Sequence, residues 1–272
     1  MATNLLNLST FWKRNQERTL TDTQDYQPRE AQARKSLRTA PSIYSILKSF
    51  GPFPPYSFVV GVCQDGLPFM ISLDNPKSGS ILVVGENSVE KTQILKAMSL
   101  SASMLNNPEQ VRLCVITNKV DRYASLMKYP NCHALLTPYE RAAGEMVIEF
   151  ASIAEQRRSG RERGGVMMLL IDDFQSFAPL LSDYSVYLNL NTLVSKGPIS
   201  GIWPIISIKP EDVHSTKGQL LHSFGTYIFE KVDNHPDLLP TAESMIPPEL
   251  TCQPNYNVII GGRLIPISIL SD

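Results

Sequence analysis

The sequence predicts an α/β protein built around a doubly wound, mostly parallel sheet. Apolar segments alternate along the chain with segments of helical periodicity. Residues 81–84 and 166–171 are continuous apolar runs, and polar or acidic residues follow each of them at once. Uninterrupted apolar strands of this kind are typical of a parallel sheet that helices cover on both faces. The fold class follows from these three observations.

Composition predicts one globular domain with a short appendage. The chain has 272 residues, of which 43% are hydrophobic and 19% charged, enough for one sizeable core. Residues 19–39 are rich in Thr, Gln, Asp, Arg and Glu and contain almost no aliphatic residue, so they cannot bury enough surface to order themselves. We therefore expect residues 1–40 to be a flexible N-terminal arm and residues 41–272 to be the folded domain.

Charge and cysteine usage exclude several classes of protein. The formal net charge of -1 gives no argument from overall basicity for nucleic-acid binding. The four cysteines form no C-x-x-C pair, so neither a zinc ribbon nor a disulfide framework is indicated. No apolar run approaches membrane-spanning length, and the N-terminus lacks the apolar core of a signal peptide. A reducing, cytoplasmic location is the expectation.

The first half of the chain is expected to begin with a helix over residues 42–48, before a breaker cluster of Gly and Pro. Residues 57–62 and 68–73 flank Asp65-Gly66 and predict a hairpin. A strand at 81–84, a helix after Lys91 and a second buried strand at 111–116 complete this half.

The second half repeats the alternation. It predicts a helix that ends in the basic segment 157–163, and then the apolar strand at 166–171. A helix over 184–194 precedes a strand at 201–208, although the internal Pro204 argues against a central strand. A short strand at 226–229 and a terminal hairpin about Gly261-Gly262 close the chain.

The segment after the strand at 81–84 has the layout of a phosphate-binding loop. Against the pattern G-x-x-x-x-G-K-[ST], Gly85, Lys91 and Thr92 stand where they should, but Glu90 replaces the second glycine. Such loops cradle phosphates with backbone amides at a helix N-terminus, and a carboxylate there opposes an anion. The predicted nucleotide-binding residues are Gly85, Glu86, Asn87, Ser88, Val89, Glu90, Lys91, Thr92 and Gln93.

Phosphate loops act together with an acid at the end of an apolar strand. Asp172 fits that position and would hold Mg²⁺ with Thr92, while Asp173 would polarise the attacking water and Lys91 would balance phosphate charge. The predicted cofactors are ATP and Mg²⁺. Alternatively, residues 85–92 are an ordinary loop and Asp172-Asp173 caps a helix. The two motifs in this order favour the first interpretation, but Glu90 could pair with Lys91 and fill the site.

The chain resembles the motor domain of the FtsK/SpoIIIE group of DNA translocases, in the HerA-FtsK branch, and the related ATPase domains of type VII secretion systems. The resemblance runs from about residue 56 to the C-terminus, and it depends on the order of several motifs rather than on any one. These motifs are 85–92 (G-A-T-G-S-G-K-[ST] in the family), 111–119 (V-R-L-x-x-I-D-P-K), 154–158 (E-M-x-R-R), 170–174 (I-D-E-F), 201–210 and 224–228 (F-x-T-R-I).

The resemblance implies a RecA-like P-loop NTPase, a three-layer sandwich with a mostly parallel central sheet and flanking β-hairpins. It also implies homo- or hetero-oligomeric rings, ATP with Mg²⁺, and DNA or a secreted polypeptide threaded through the pore. The departures lie at catalytic positions: Ser88 and Glu90 replace glycines, Thr117-Asn118 replaces Asp-Pro, Ile208-Lys209 replaces part of a sensor, and Tyr227 stands where the family has arginine.

Three functional hypotheses follow. The first is a degenerate FtsK-like domain with weak or absent nucleotide hydrolysis that acts as a ring or assembly subunit. The second is an active ATP-dependent DNA or polypeptide translocase that uses Lys91, Thr92, Asp172 and Asp173. The third is an interaction module that binds an anionic partner through the basic segment 157–163, which is otherwise a solvated turn.

Overall fold

The computed structural model describes residues 41–213, 218–230 and 256–271. The predicted arm over residues 1–40 lies outside the described residues. Within the described part of the chain, a search for helices long and apolar enough to cross a membrane finds none.

The strands confirm most of the predicted alternation. The hairpin about Asp65-Gly66, the two apolar strands and the terminal hairpin all form. The strands are β1 (Ser57–Cys63), β2 (Pro68–Ser72), β3 (Ile81–Val84), β4 (Val111–Thr117), β5 (Cys132–Leu136), β6 (Val166–Asp172), β7 (Ile202–Ile208), β8 (Thr226–Glu230), β9 (Tyr256–Ile260) and β10 (Arg263–Ser268).

Within the residues that the structure describes, three long helices and several single turns connect these strands. The long helices are α2, α4 and α6 in chain order, and most of the others span one turn. The helices are α1 (Ile43–Phe50), α2 (Ser88–Leu105), α3 (Val120–Tyr123), α4 (Arg141–Arg158), α5 (Phe174–Phe177), α6 (Tyr184–Lys196), α7 (Pro210–Val213) and α8 (Gly218–Leu221).

The strands form one sheet in the order β2-β1-β10-β9-β8-β3-β7-β6-β4-β5. The six strands from β8 to β5 are parallel to one another, and every pairing from β8–β9 to β1–β2 is antiparallel. The two predicted hairpins therefore extend the parallel sheet on one side. A mostly parallel sheet at the centre with flanking hairpins is the predicted architecture.

Helices cover both faces of the sheet, as the apolar strands required. Side chains alternate along β3, so that Ile81 and Val83 join one hydrophobic core and Leu82 and Val84 join the other. The first core includes Ile43 of α1 and the buried face of α2, and the second includes Phe150 of α4 and Leu190 of α6. The result is a three-layer sandwich, which the sequence predicted.

The predicted strand β7 is confirmed although it contains a proline, and one further strand was not predicted. β7 lies in the middle of the sheet although it contains Pro204. At Pro204 the strand pairs only with β6, because the ladder between β7 and β3 begins at Ile205. The missing amide of the proline therefore leaves the β3 ladder intact. β5, which the sequence analysis did not predict, forms the edge strand beside β4.

Trp203 provides a test of this packing. Its side chain is fully buried in the first core, so Trp203→Ala should cost about 3–5 kcal/mol of unfolding free energy and lower Tm by roughly 10 °C. The control is Leu67→Ala, since Leu67 is 53% exposed in the first hairpin. Thermal unfolding followed by circular dichroism measures both, and equal melting of the two variants would contradict the assigned core.

Candidate functional site

The predicted site residues lie at one edge of the parallel sheet. Gly85 follows β3, Asn118 follows β4, and Asp172 ends β6. The register places Thr117 opposite Asp172 and Val84 opposite Ile208, so these strands end side by side. Ligands bind at this carboxyl edge in parallel α/β sheets.

The loop after β3 is shorter than the sequence predicted. The sequence pattern predicts a helix after Lys91, but α2 begins at Ser88. Asn87 is its N-cap, and the side-chain oxygen of Asn87 accepts hydrogen bonds from the amides of Val89 (2.9 Å) and Glu90 (3.4 Å). Because residues 88 and 90 are not glycines, they continue a helix readily, and Asn at the cap fixes its start.

The side chain of Lys91 is folded back into this loop. Its ammonium donates a hydrogen bond to the carbonyl oxygen of Gly85, and the residue is 1% exposed. Burial lowers the pKa of Lys91 below its ordinary value of 10.5, and the nearby charge of Lys119 lowers it further. Lys91 thus lies where the sequence predicted but contacts the loop itself.

One acidic side chain from a strand distant in sequence contacts the same loop. The carboxylate of Glu230, at the end of β8, accepts a hydrogen bond from the Glu86 amide at 3.1 Å. A Cβ at Gly85 would lie 3.0 Å from the Tyr256 hydroxyl and 3.3 Å from the Glu230 carboxylate, so any larger residue here would force these side chains to shift.

Glu90 lies beside Tyr256 rather than pairing with Lys91. A Glu90 carboxylate oxygen and the Tyr256 hydroxyl are both buried, and neither has a hydrogen-bond partner of good geometry within the described residues. Burial raises the pKa of Tyr256, and the charges of Glu90 and Glu230 raise it further. The carboxylates of Glu90 and Glu230 both lie at the loop. Their negative charges therefore oppose the binding of an anion there.

Asp172 is brought together with Thr92, as predicted. The Thr92 hydroxyl lies 2.7 Å from Oδ2 of Asp172, and the Tyr123 hydroxyl donates to the same oxygen at 3.2 Å. The Ser207 hydroxyl donates to Oδ1 at 2.9 Å. The carboxylate is buried, with hydroxyl donors on both of its oxygens.

Lys119, from the loop after β4, completes this cluster. Its ammonium donates to Oγ1 of Thr92 at 2.8 Å and lies 3.7 Å from Oδ2 of Asp172. This is the place where the predicted metal ligands would hold Mg²⁺, so the residues as arranged do not fit the ion. The sequence alone predicted no role for Lys119.

Asp173 lies next to the cluster but contacts other groups. Its φ of 82° is in the left-handed region, which non-glycine residues rarely adopt. Its carboxylate accepts from the Ser176 hydroxyl at 2.9 Å and from the Asn118 amide at 3.5 Å. Asp173 is therefore held beside Ser176, and its suggested role with water stays a prediction.

Of the remaining predicted nucleotide-binding residues, most lie at the loop and one contacts another part of the chain. Glu86, Asn87 and Val89 are exposed at the loop, and Ser88 is half-buried in the first turn of α2. Gln93 points elsewhere, since its side-chain amide donates to the Leu270 carbonyl oxygen at 2.7 Å.

A cavity of about 390 Å³ opens beside Thr92. Its lining combines hydroxyl, amide and basic side chains from α2 and from the segment after β4. The lining residues are Ser88, Val89, Thr92, Gln93, Lys96, Lys119 and Arg122. This cavity borders the cluster of Thr92 and Lys119, so it is the space through which a ligand would reach them.

Two arginines of the basic segment 157–163 contact other parts of the chain. Arg157 donates to the Ser200 carbonyl oxygen at 3.2 Å and lies 3.7 Å from the Glu162 carboxylate. Arg158 pairs with Glu155. These contacts favour the interpretation as a structured turn over an anion-binding module.

Lys91 predicts an unusual dependence of stability on pH. The folded chain holds the Lys91 proton less tightly than the unfolded chain, so relief of the buried charge adds stability as pH rises from the lowered pKa towards 10.5. The difference in unfolding free energy between wild type and Lys91→Met should rise in this window and stay flat below it. Urea unfolding at a series of pH values measures the difference.

Lys209→Met is the matched control. Lys209 pairs with Glu211 at the surface, and this hydrogen bond raises its pKa. Its stabilising contribution should therefore fall as pH rises through the raised pKa, the opposite sign. The same sign for both lysines would contradict the buried position of Lys91.

Solved structures of several ATPase domains share this fold. The cytoplasmic domain of the type VII secretion ATPase EccC from Thermomonospora curvata has a TM-score of 0.65 at 14% identity, covering 86% of this chain and 32% of that chain. EssC (ATPases 2 and 3) from Geobacillus thermodenitrificans has a TM-score of 0.63 at 15% identity, covering 82% of this chain and 48% of that chain.

The pCW3 conjugation coupling protein TcpA, in its monomer form with ATPγS, has a TM-score of 0.59 at 15% identity, covering 85% of this chain and 69% of that chain. The sequence matches no protein-family model, and no curated protein matches it. The chain spans less than half the length of the EccC and EssC structures. At the level of the fold, the predicted relation is confirmed: this chain has the architecture of the FtsK/SpoIIIE-type ATPase domains of type VII secretion systems.

Proposed function

We propose that this chain is a non-hydrolysing FtsK/SpoIIIE-like P-loop domain that binds nucleotide weakly or not at all and acts as a ring or assembly subunit. The observation that carries the proposal is the buried ammonium of Lys91 on the Gly85 carbonyl oxygen. In a loop that receives phosphate, this charge must face the ligand. Here the Lys91 ammonium instead donates a hydrogen bond to the loop's own backbone.

The backbone donors of the loop support the proposal. The Glu86 amide donates to the Glu230 carboxylate, and the Val89 and Glu90 amides donate to the Asn87 side chain. A phosphate would have to displace these acceptors to bind at the same amides. An anion would therefore compete for the Glu86 amide with the Glu230 carboxylate, which is part of the same chain.

Electrostatics acts in the same direction. The carboxylates of Glu90 and Glu230 both lie close enough to Tyr256 to raise its pKa. Repulsion between one such carboxylate and a phosphate costs on the order of a few kcal/mol at a partly exposed separation. Each 1.4 kcal/mol is about a factor of ten in affinity, so two acids reduce nucleotide binding by orders of magnitude.

The proposed role in assembly is supported by the fold and does not depend on the loop. One solved EccC structure contains ATPases 2 and 3 in complex with a signal sequence peptide. We propose that this chain likewise works beside other ATPase domains, as a homo- or hetero-oligomer that handles a secreted polypeptide or DNA. In that role its sheet and helices provide surfaces, and a partner domain provides hydrolysis.

One observation favours a second candidate, an active ATP-driven translocase. The Thr92 hydroxyl and the Asp172 carboxylate are 2.7 Å apart, the neighbourhood that metal ligands of a phosphate loop require. For this function Lys91, Lys119 and the first turn of α2 would all have to rearrange.

Hydrolysis separates the two candidates. Phosphate release from ATP with Mg²⁺, measured with and without DNA, should be no higher for wild type than for Lys91→Ala. The physical reason is that Lys91 and the loop amides are already engaged within the chain. Turnover in wild type that Lys91→Ala abolishes would establish the translocase instead.

Two substitutions of Glu90 separate the effect of its charge on nucleotide affinity from the effect of backbone freedom. Glu90→Gln removes the carboxylate charge and should raise the affinity for a fluorescent ATP analogue by roughly ten- to a hundredfold. Glu90→Gly should raise it further, because glycine also weakens the first turn of α2 by roughly 1 kcal/mol. Fluorescence titration measures both variants.

The control for these variants is Glu109→Gly, which removes one exposed carboxylate in the turn before β4. It should leave affinity unchanged. Equal affinities of wild type, Glu90→Gln and Glu90→Gly would show that the carboxylate does not close the loop.

A further inference from the structure

The ammonium of Lys119 lies among three oxygens at the carboxyl edge of the sheet. Besides Oγ1 of Thr92 and Oδ2 of Asp172, it faces the carbonyl oxygen of Ser88 at 3.4 Å. Its own amide donates to the Thr117 hydroxyl at 3.0 Å, which fixes the backbone from which the side chain extends. One cation thus contacts the end of β6 and the first turns of α2 together.

The two oxygens that would ligate a metal are already engaged. Oδ2 of Asp172 accepts from the hydroxyls of Thr92 and Tyr123 and faces the ammonium, and Oδ1 accepts from Ser207. Oγ1 of Thr92 accepts from Lys119. Mg²⁺ demands near-ideal octahedral oxygen ligation, so entry would break several of these hydrogen bonds.

The balance of charges at this cluster also opposes the binding of Mg²⁺. One buried carboxylate faces one ammonium, and the cavity beside them has two more basic side chains in its lining, those of Lys96 and Arg122. A divalent ion placed between Thr92 and Asp172 would lie within a few ångströms of the Lys119 ammonium, and the repulsion is strong in a buried site.

We infer that the Lys119 side chain takes the place of the divalent cation, so that this chain binds no Mg²⁺ between Thr92 and Asp172. Lysine supplies a compact charge on a flexible stem. Its ammonium donates to the Thr92 and Ser88 oxygens and forms an ion pair with the Asp172 carboxylate. The side chain of Lys119 is 25% exposed, so it is held by these oxygens rather than by complete enclosure. The inference goes beyond the proposed function and holds whether or not nucleotide binds.

Mn²⁺ alone tests the inference, with no nucleotide present. In wild type, millimolar Mn²⁺ should leave Tm unchanged, and electron paramagnetic resonance should detect no Mn²⁺ bound in a manner that depends on Asp172. Lys119→Met should melt about 5 °C lower, because it leaves a buried carboxylate without its cation. Mn²⁺ should then restore part of this loss.

Three variants make the result specific. Lys119→Arg keeps the charge and should stay insensitive to Mn²⁺. Lys209→Met removes a lysine whose ammonium pairs with Glu211, and it should also stay insensitive. In the double variant Lys119→Met with Asp172→Asn, the Mn²⁺ response should vanish, because the carboxylate that would hold the ion is gone.

Either of two results would overturn the inference. One is stoichiometric Mn²⁺ binding by wild type that Asp172→Asn abolishes, which is decided on wild type and that variant even if Lys119→Met fails to fold. The other is an equal Mn²⁺ response of wild type and Lys119→Met. Both concern the metal alone, so they are distinct from the hydrolysis and nucleotide titrations that test the proposed function.

Discussion

The buried carboxylate of Asp172 is the charge on which the arrangement at the sheet edge depends. It ends the fully buried strand β6, and a carboxylate in that position is stable only if donors and a counter-charge surround it. The chain provides these from four separate segments: Thr92 on α2, Lys119 after β4, Tyr123 on α3 and Ser207 on β7. Satisfying Asp172 therefore positions α2, the loop after β4 and β7 against one another.

The same arrangement explains why the loop after β3 is closed. Once α2 is held against β6 through Thr92, Lys91 in the preceding position lies in the loop and has the Gly85 carbonyl oxygen within reach. Asn87 then starts the helix, and Glu230 takes the Glu86 amide. The Lys91 ammonium and the amides of Glu86, Val89 and Glu90 thus all have acceptors within the chain, which stabilises the loop without a ligand.

Local patterns in the sequence predicted most of the fold. Continuous apolar runs identified β3 and β6, and Asp65-Gly66 identified the first hairpin. β5 was missed because Cys132-His133 gives little strand signal and its pairing with β4 is a tertiary effect. Pro204 argued against a central strand, and only the register shows that β7 reaches its second neighbour after that residue.

The sequence predicted which residues form the candidate site, but not most of the contacts between them. The early start of α2 had a signal, since Asn87 followed three positions later by Glu90 is a helix N-terminus signature. The role of Glu230 had none, because it lies 144 positions from Glu86. Lys119 was visible as a motif residue, yet its contact with Thr92 depends on the direction of a long side chain and on the register of β4 against β6.

Fold stability and phosphate binding make opposite demands on residues 88–90. A phosphate loop needs glycines there so that its amides stay free, and glycine within a helix costs about 1 kcal/mol relative to alanine. With Ser88 and Glu90 in those positions and Asn87 as the cap, the first turn of α2 gains helix propensity and a cap worth about 1 kcal/mol, and the Glu90 carboxylate lies at the positive end of the helix. The substitutions that close the loop therefore stabilise the helix that begins there. Since residues 88–90 belong to neither core, the sandwich can persist with the loop in either state, and the loop's own chemistry decides whether an anion binds.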